Sequence, residues 1–326
     1  AVIDLDESIM DTLAAVVASG VPQAAVRAGR CYTPRLSRVG GELSPPGGEW
    51  RVDYGTSGSI DELTLRPAEP APVGPGQVRV SMRAVGVNFR DVLTVLGMYP
   101  GEPSPVGLEG AGVVTEVGSG VDGLAVGDRV LGMFPAAAAS STVADARMLA
   151  RVPAGWSFAE AAAIPIVFLT AYYALVDLAR LRPGERVLVH AAAGGVGMAA
   201  VQLARHWGAT VVGTSSPAKW DALRRLGLAD DAIASSRTTD FERTFRASLG
   251  AVDVVLNSLA GEFVDASLRL LGEGGRFVEM GKTDVRDAEA LARDGIAYRA
   301  FDLVEAGPGR TGEMLAEIME LLRTGA

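Results

Sequence analysis

The sequence predicts a two-domain α/β protein, in which a largely antiparallel β domain precedes a doubly wound parallel sheet. Between residues 62 and 134, short runs of alternating apolar and polar residues are separated by turns rich in proline and glycine. After about Trp156, short apolar strands alternate with helical segments, which is the pattern of a parallel sheet with helices on its faces. The length of 326 residues allows two domains of ordinary size.

Residues 1–48 are predicted to form a separate tail. A short helical stretch, DTLAAVVASG at 11–20, is followed by CYTPRLSRVGGELSPPGGE, and the Pro and Gly cluster at 45–48 indicates a linker. The chain begins without methionine and stops at LLRTGA without an obvious terminus. We expect it to be one piece of a longer polypeptide.

The β domain is expected to cover residues 49–165, and residues 302–326 are expected to return to it after the second domain. Its predicted strands are ELTLR, QVRVSMRAV, GAGVVTEVG and DRVLGMF. The tract AAAASS at 136–141 is a low-complexity patch between this domain's last predicted strand and the second domain.

The second domain is expected to be a Rossmann domain over residues 166–301. Its predicted strands are 187–190, 210–213, 232–234, 252–257 and 276–280, with a weaker sixth near 297–301. The predicted helices between them are 196–207, 217–227, 240–248 and 261–271. Regular alternation of this kind builds one parallel sheet.

Composition and charge argue against several kinds of partner. Apolar residues make up 48% of the chain and charged residues 21%, which is typical of a soluble globular protein. The net charge of −9 argues against nucleic acid and anionic membranes, because both bind basic surfaces. A single cysteine, Cys31, cannot form an internal disulfide, which fits a reducing cytoplasm.

No targeting or membrane segment is predicted. The first residues, AVIDLDESIM, are acidic where a signal peptide would be basic. The most apolar tract, residues 161–175, contains Pro165 and falls short of the roughly 20 residues that a membrane span needs. We interpret it as a buried helix.

A glycine-rich turn follows the first strand of the predicted Rossmann domain, in RVLVHAAAGGVG at 186–197. Residues 192–197 follow the spacing G-x-G-x-x-G with alanine in the first position. Small residues there let backbone N–H groups and a helix N-terminus approach a pyrophosphate. Because the turn lies between a strand and a helix of a βαβ unit, we predict a dinucleotide site. Its candidate residues are Ala193, Gly194, Gly195 and Val196.

The end of the second strand indicates which dinucleotide binds. An acidic residue there would bind the ribose 2′-hydroxyl of NADH, but the segment reads GTSSPAKW and has no carboxylate. Ser215, Ser216 and Lys219 suit a 2′-phosphate, so we predict NADPH. Arg237, after the third strand, is a candidate second cation. The alternative is that Lys219 is an ordinary surface lysine.

A zinc centre is not expected, because zinc needs several Cys and His ligands around one point. Cys31 lies in the tail, His190 ends a buried strand, and His206 lies on a helix. We expect His190 to be packed and His206 to face solvent. Catalysis by a serine triad or by a cysteine nucleophile is not expected either, because neither histidine is placed to activate a nucleophile. Any hydride transfer is therefore predicted to proceed without metal.

Hydride addition to a double bond conjugated with a carbonyl needs a group that stabilises the enolate oxygen and an acid for the α-carbon. Without histidine, the candidates for the acid are Tyr99, Lys282 and Asp302. Lys282 follows the fifth strand at the sheet edge where ligands of such folds bind, and Asp302 follows the sixth strand beside it. Each of the three residues also has a purely structural interpretation.

Several long motifs resemble the enoylreductase domain of modular type I polyketide synthases, in the zinc-free branch of the medium-chain dehydrogenase/reductase superfamily. They are GVNFRDVLTVLGMYPGE, GLEGAGVVTEVG, HAAAGGVGMAAVQLARHWGA, DVVLNSLAGEF and RFVEMGKTDV, and the resemblance runs from about Arg51 to the end. In the tail, QAAVRAGRCYTPRLSR resembles the strand-rich end of the structural part of a ketoreductase. The resemblance therefore implies a GroES-like β domain and adjacent synthase domains, including a ketoreductase.

The resemblance also implies residue roles. Tyr99 would protonate the α-carbon on one face, which in the family goes with an S-configured α-methyl branch, and Lys282 and Asp302 would be proton donors or orient a donor. Residues implied at the cofactor are Asn88 and Thr170 near the nicotinamide, Gly194, Gly195 and Val196 at the pyrophosphate, and Asn257, Ser258 and Gly281 beside it. The AAAASS tract departs from the family, which has a glycine-and-aromatic turn there.

The implied activity is NADPH-dependent reduction of a trans-2-enoyl thioester carried on an acyl carrier protein. Two alternatives stay open. One is a free-standing NADPH quinone or enone oxidoreductase, which would share the cofactor turn but not the ketoreductase-like tail. The other is a non-catalytic nucleotide-binding or docking module, against which the intact turn and the Tyr99, Lys282 and Asp302 set argue.

Overall fold

The computed structural model describes residues 2–5, 16, 18, 23–27, 30–32, 44–55, 58–100 and 104–326. The chain divides into two compact units, Ala1–Ser44 and Pro45–Ala326. The described residues of the first unit form three strands, β1 (Val2–Leu5), β2 (Gln23–Arg27) and β3 (Arg30–Tyr32), with β1 parallel and β3 antiparallel to β2. Of the predicted helical stretch 11–20, Val16 and Ala18 are described and are helical, and its other residues lie outside the described part, as does the segment TPRLSR.

The second unit begins with an antiparallel β-rich part. Its elements are β4 (Trp50–Asp53), β5 (Thr64–Pro67), β6 (Gln77–Gly86), α1 (Phe89–Val95), β7 (Glu109–Val117), β8 (Arg129–Met133), β9 (Ser141–Asp145) and β10 (Leu149–Arg151). Five of these strands form one sheet in the order β10-β8-β7-β6-β9, and β4 pairs with β5. Alternate residues of β6 and β7, such as Val78, Val80 and Val114, fill the core of this part.

The four strands predicted for this part are present, and β4, β9 and β10 were missed. β9 is five residues long and begins inside the AAAASS tract, which we treated as a connecting patch. The tract is in fact packed, because Ala137 is fully buried and its N–H donates to the carbonyl of Gly107. Four small apolar residues in a row carry no alternation, so the pattern gave no sign of this pairing.

Helices and parallel strands alternate through the rest of the second unit. The elements are α2 (Phe158–Ala162), α3 (Pro165–Tyr172), β11 (Arg186–Val189), α4 (Gly195–His206), β12 (Thr210–Ser215), α5 (Trp220–Arg225), β13 (Ile233–Ser235), α6 (Asp240–Leu249), β14 (Val252–Asn257), α7 (Glu262–Leu270), β15 (Leu271–Glu279), α8 (Ala288–Arg293), β16 (Ala297–Ala300) and α9 (Gly307–Thr324). The six strands form a parallel sheet in the order β13-β12-β11-β14-β15-β16. The predicted α/β fold class is confirmed.

The apolar helical segment is longer than we expected. Phe158–Leu178 spans 21 residues with a mean hydropathy of 1.8, so by length and composition it is long enough to cross a membrane. The expectation that this tract is too short was therefore wrong, because the apolar helical segment, which is interrupted by a turn at Ala163 and Ile164, extends beyond residues 161–175 on both sides. Half of its most apolar window is buried inside the protein, and Leu169, Ala171 and Leu175 are fully buried, as in the core helices of globular domains.

The C-terminal helix α9 packs against the β-rich part as well as against α3. Its Gly312 lies so close to the carbonyl of Arg147, just before β10, that a Cβ there would be 2.3 Å from that oxygen. Arg310 of the same helix pairs with Asp177 at 2.7 Å. These contacts are of the kind expected if residues 302–326 return to the β-rich part. The domain boundaries at 49–165 and 166–301 stay predictions.

Candidate active site

Most of the candidate residues lie at one edge of the parallel sheet. The glycine-rich turn follows β11, Ser215 ends β12, Asn257 ends β14, and Lys282 follows β15. Because parallel strands all end at the same edge, residues far apart in the chain meet there, and this is the edge at which open α/β sheets bind ligands.

The glycine-rich turn is built so tightly that one of its glycines has no substitute. A Cβ on Gly197 would lie 2.4 Å from the carbonyl oxygen of Ala191 and 2.6 Å from Cα of Ala192. The turn is closed by the N–H of Gly194, which donates to the Ala191 carbonyl at 2.7 Å, and Ala191 itself has a left-handed φ of 47°. Because the residues of this turn are small, the start of α4 lies directly over the end of β11.

The N-terminus of α4 is open to a ligand. Gly194 precedes the first helical residue, and Gly195 is exposed, so the first N–H groups of this 12-residue helix have room beside them. Ala193 and Val196 are half-buried on either side. Small residues, free N–H groups and the positive end of the helix dipole together suit the pyrophosphate of a dinucleotide.

The predicted phosphate-binding residues lie on two neighbouring strands. Ser215 of β12 pairs with Ser235 of β13, so Lys219 and Arg237, which follow these two strands, lie at the same corner of the sheet. Both cations are exposed, and neither forms an ion pair with any described residue. Ser215 is buried, and its hydroxyl donates to the carbonyl of Ser216 at 3.3 Å. Two free cations suit a phosphate, and their assignment to the 2′-phosphate stays a prediction.

A cavity of about 140 Å³ joins this edge to the β-rich part. It is lined by polar residues from four separate segments and by apolar side chains such as Leu108 and Met280. The polar lining residues are Asn88, Arg90, Thr170, Lys282 and Asp302. Helix α3 links the cavity with the glycine-rich turn, because Thr170 lines the cavity and Val167, one turn earlier, lies against Gly195.

The three candidate acids meet at this cavity. The Tyr99 hydroxyl donates to Oδ2 of Asp302 at 3.0 Å, and Nζ of Lys282 is 3.4 Å from the same oxygen. Lys282 also donates to the carbonyl of Phe301 at 2.6 Å. The expected neighbourhood of Lys282 and Asp302 is therefore present, and Tyr99 joins it from the β-rich part. The pair is partly exposed, with side chains 29% and 28% exposed.

The environment keeps Tyr99 protonated and Asp302 ionised. Burial, together with the negative charge of Asp302, raises the pKa of the Tyr99 phenol. Burial by itself raises the pKa of Asp302, but the Val304 N–H, Lys282 and the Tyr99 hydroxyl outweigh it and hold that pKa below its usual value. The phenol can therefore donate a proton at neutral pH while the carboxylate beside it accepts.

A buried carboxylate, Glu109, holds two lining residues in place and was missed by the sequence analysis. Its Oε1 accepts a hydrogen bond from Nδ2 of Asn88, and its Oε2 accepts one from the N–H of Ile166, both at 2.7 Å. Glu109 is 2% exposed, and burial raises its pKa. The carboxylate fixes the Asn88 amide and the start of α3, the helix that carries Thr170.

A second buried carboxylate, Glu279, has a similar position at the end of β15. It accepts hydrogen bonds from Nδ2 of Asn257 and from the N–H of Gly281, both at 2.6 Å, and burial raises its pKa. Asn257 is fully buried and also bonds the backbone of Leu259, so its side chain shapes the loop. Ser258 is exposed at that loop. A charged residue inside an otherwise apolar or glycine-rich strand is the sequence signal that would have identified both glutamates.

A larger cavity lies in the β-rich part, and its lining differs in chemistry from the lining of the small cavity. Its volume is about 590 Å³, and its lining is almost entirely apolar, including Trp50, Val95 and Ala139. Of its two charged lining residues, Asp91 accepts hydrogen bonds from the N–H groups of Asn88 and Gly107. Because Lys282 and Asp302 line the smaller cavity, the candidate active site is assigned there.

The histidines occupy the places that the sequence predicted. His190 is fully buried, with Thr214 Oγ1 at 2.8 Å and Ser267 Oγ at 2.7 Å from its two ring nitrogens, and burial lowers its pKa to about 3. His206 is exposed on α4. Within the described residues no group of three or more His, Cys, Asp or Glu lies together as metal ligands would. That the reaction needs no metal stays a prediction.

Two family models match the second unit and define its class. The model of the alcohol dehydrogenase GroES-like domain matches residues 74–172, and that of zinc-binding dehydrogenases matches residues 195–321. Together they are the two halves of a medium-chain dehydrogenase/reductase. The β-rich part of the second unit is thus the GroES-like half. The part that contains the parallel sheet is the nicotinamide-binding Rossmann half.

Comparison with individual proteins narrows this class. The chain is 58% identical to the pikromycin polyketide synthase component PikAII of Streptomyces venezuelae over 98% of its length, but it spans only 9% of that protein. It is 38% identical to the CurK enoyl reductase, whose crystal structure it matches with a TM-score of 0.79 over 85% of this chain and 89% of that one. The chain therefore belongs to the enoyl reductase domains of polyketide synthases, and the resemblance seen in the sequence is confirmed.

A third comparison concerns the cofactor. The Escherichia coli quinone oxidoreductase complexed with NADPH is 30% identical, with a TM-score of 0.73 over 85% of this chain and 88% of that one. That neighbour binds NADPH at the same fold, and the glycine-rich turn of this chain fits a nicotinamide cofactor.

Proposed function

We propose that this domain reduces the α,β double bond of a trans-2-enoyl thioester with NADPH, while the acyl group is carried on an acyl carrier protein. The observation that supports the proposal most directly is the contact of Tyr99 and Lys282 with one carboxylate oxygen of Asp302, beside a cavity lined by Thr170 of α3, the helix whose Val167 lies against Gly195 of the glycine-rich turn. The arrangement supports the proposal because it would provide proton donors beside the hydride acceptor.

In the proposed reaction the nicotinamide supplies a hydride to the β-carbon of the thioester. The resulting enolate takes a proton at the α-carbon, from Tyr99 or from water and Lys282 held by Asp302. Since Asp302 contacts both candidate donors, it positions either one. Asn88 and Thr170 line the same cavity and are proposed to orient the nicotinamide, and enclosure of both reactants there contributes to the rate.

The choice of NADPH rests on the corner formed by Lys219 and Arg237. Both cations are exposed and lack a carboxylate partner among the described residues, whereas a ribose-binding carboxylate would mark an NADH site. Ser215 and Ser216 add hydroxyl groups at the same strand end. We also propose that the domain works in the cytoplasm beside a ketoreductase and other synthase domains.

The test is the loss of reduced-nicotinamide absorbance with NADPH or NADH, using crotonyl-N-acetylcysteamine or a benzoquinone as acceptor. We expect turnover with the thioester and NADPH. Turnover of the quinone alone would contradict the proposal and favour the oxidoreductase alternative. NADPH binding without turnover of any acceptor would favour a non-catalytic module.

A further inference from the structure

Proton donors alone do not complete the proposed reaction. When the β-carbon receives hydride, the π electrons of the double bond move toward the carbonyl, and the thioester oxygen carries the negative charge until the α-carbon is protonated. A fixed cation or N–H donor at that oxygen lowers the barrier. Tyr99 and Asp302 are hydrogen-bonded to each other, and neither side chain carries a positive charge that could bind the oxygen.

Lys282 is already engaged by the protein. Its Nζ donates to the carbonyl of Phe301 at 2.6 Å and lies 3.4 Å from Asp302. Both partners hold the ammonium group toward the end of β16. These two contacts leave Lys282 at most one of its three N–H donors, so a cation with free donors at the same cavity is better placed to bind the oxygen.

Arg90 differs from the comparably buried arginines elsewhere in the second unit. Arg276 and Arg310, with side chains 19% and 30% exposed, donate to carboxylates at 2.6 and 2.7 Å. The Arg90 side chain is 28% exposed, yet it forms no hydrogen bond with any residue that the structure describes. Its Nη1 is 3.9 Å from Oδ1 of Asp302, too far for a hydrogen bond.

The guanidinium is nevertheless held in place. It lies over the Tyr99 ring, 4.7 Å from the ring centroid, and it lines the small cavity together with Asn88, Lys282 and Asp302. Stacking fixes the plane of the group but leaves its N–H donors available. A positive, planar donor with free N–H groups therefore stands at the cavity next to the candidate proton donor.

We propose that Arg90 binds the thioester carbonyl oxygen and stabilises the enolate, an inference that rests on the proposed function. The β-carbon gains a hydride from the reduced nicotinamide, the α-carbon gains a proton, and the carbonyl double bond is restored, while Arg90 keeps its protons throughout. The guanidinium thus acts as a catalytic residue through charge and hydrogen bonding, as an oxyanion-hole donor does.

The test compares Arg90→Gln and Arg90→Lys with the matched control Arg83→Gln. Arg83 is an exposed arginine of β6 that forms no ion pair with the described residues, and it lines the larger cavity and not the small one. We expect Arg90→Gln to lower kcat for crotonyl-N-acetylcysteamine by about 100-fold with an unchanged Kd for NADPH, and Arg83→Gln to leave both unchanged. Arg90→Lys is expected to recover part of the rate, because it keeps the charge.

A readout without turnover separates binding of the oxygen from support of Tyr99. Acetoacetyl-N-acetylcysteamine has an enolate that absorbs in the near ultraviolet, and its enolate fraction can be measured on protein saturated with oxidised cofactor. We expect the wild-type protein and Tyr99→Phe, which keeps the ring, to raise this fraction, and Arg90→Gln not to raise it. Equal fractions in wild type and Arg90→Gln would overturn the inference, as would no increase over free probe in wild type.

The two proposals fail in different ways. A wild-type protein that does not reduce the enoyl thioester contradicts the proposed function, whereas reduction at the wild-type rate by Arg90→Gln contradicts only the role of Arg90. If Arg90→Gln does not fold, as judged by circular dichroism and NADPH binding, the neutral variant Arg90→Met, which keeps the apolar stem, decides, and a wild-type kcat and enolate fraction in that variant would contradict the inference.

Discussion

The cofactor edge and the reactive cavity of this domain are assembled in opposite ways. The glycine-rich turn occupies consecutive residues between β11 and α4, and its geometry depends on the space around the backbone at Gly197. The reactive cavity joins side chains from separate segments, and its central hydrogen bond links Tyr99 and Asp302, which are 203 positions apart. The geometry of the glycine-rich turn therefore depends on the space around the backbone. The arrangement of the reactive cavity depends on the charges of individual side chains.

The largest effect is expected from filling the turn, in Gly197→Val. The new side chain would overlap the carbonyl of Ala191 and Cα of Ala192, so the start of α4 must move away from β11. Overpacking of this kind costs about 1–3 kcal/mol or more, and the displaced helix end would no longer approach a pyrophosphate. We expect a rise of about 100-fold or more in the Kd for NADPH, measured by nucleotide fluorescence.

The matched control is Gly309→Ala in α9, where a Cβ meets no atom within 4 Å. It is expected to bind NADPH as the wild type does. Tight NADPH binding by Gly197→Val would show that the turn tolerates a side chain, and the contrast between the two regions would then fail.

The reactive cavity is tested by Asp302→Asn, which keeps the shape and removes the charge. The amide oxygen can still accept a hydrogen bond but carries no negative charge to hold both Tyr99 and Lys282, and we expect kcat to fall by about 100-fold with the Kd for NADPH unchanged. Because the negative charge of Asp302 helps to raise the pKa of Tyr99, the alkaline limb of the rate profile should move to lower pH.

Asp177→Asn is the matched control for that variant, since Asp177 pairs with Arg310 away from the cavity. It should reduce the free energy of unfolding without changing kcat. If Asp302→Asn retained full activity and an unchanged pH profile, the cluster would be structural only.

The same contrast explains what the sequence could predict. The alternation of strands and helices along the chain, the turn and the position of Lys282 follow from local patterns and from the rule that parallel strands end at one edge. Glu109, Glu279 and Arg90 were not identified, because their roles depend on which side chains face each other across the fold. Lone charged residues in GLEGAG and RFVEMG gave a signal, but the sequence did not show that their partners are Asn88 and Asn257.

An intermediate effect is expected at the phosphate corner. In the double variant Lys219→Ala/Arg237→Ala, two exposed cations are lost at the ends of β12 and β13, and the Kd for NADPH should rise by about 10-fold or more while that for NADH stays constant. Arg225→Ala, which removes another exposed arginine without an ion pair among the described residues, serves as the control. Equal losses for NADPH and NADH would show that the corner does not recognise the 2′-phosphate.

The smallest effect on activity is expected at His190, where the predicted change is in the stability of the fold. The pKa of this histidine is about 3 in the folded protein, below the ordinary value of 6.5, because burial disfavours the charged ring. As the pH falls below 6.5, the unfolded chain binds a proton that the folded protein does not, so the free energy of unfolding should fall by about 2 kcal/mol between pH 7 and pH 5.

Urea unfolding at both pH values measures this loss in wild type and in the exposed-site control His206→Asn. The loss should be smaller by that amount in His190→Asn, since this variant has no ring to protonate. An equal pH dependence in all three proteins would mean that burial does not hold His190 neutral in the folded protein.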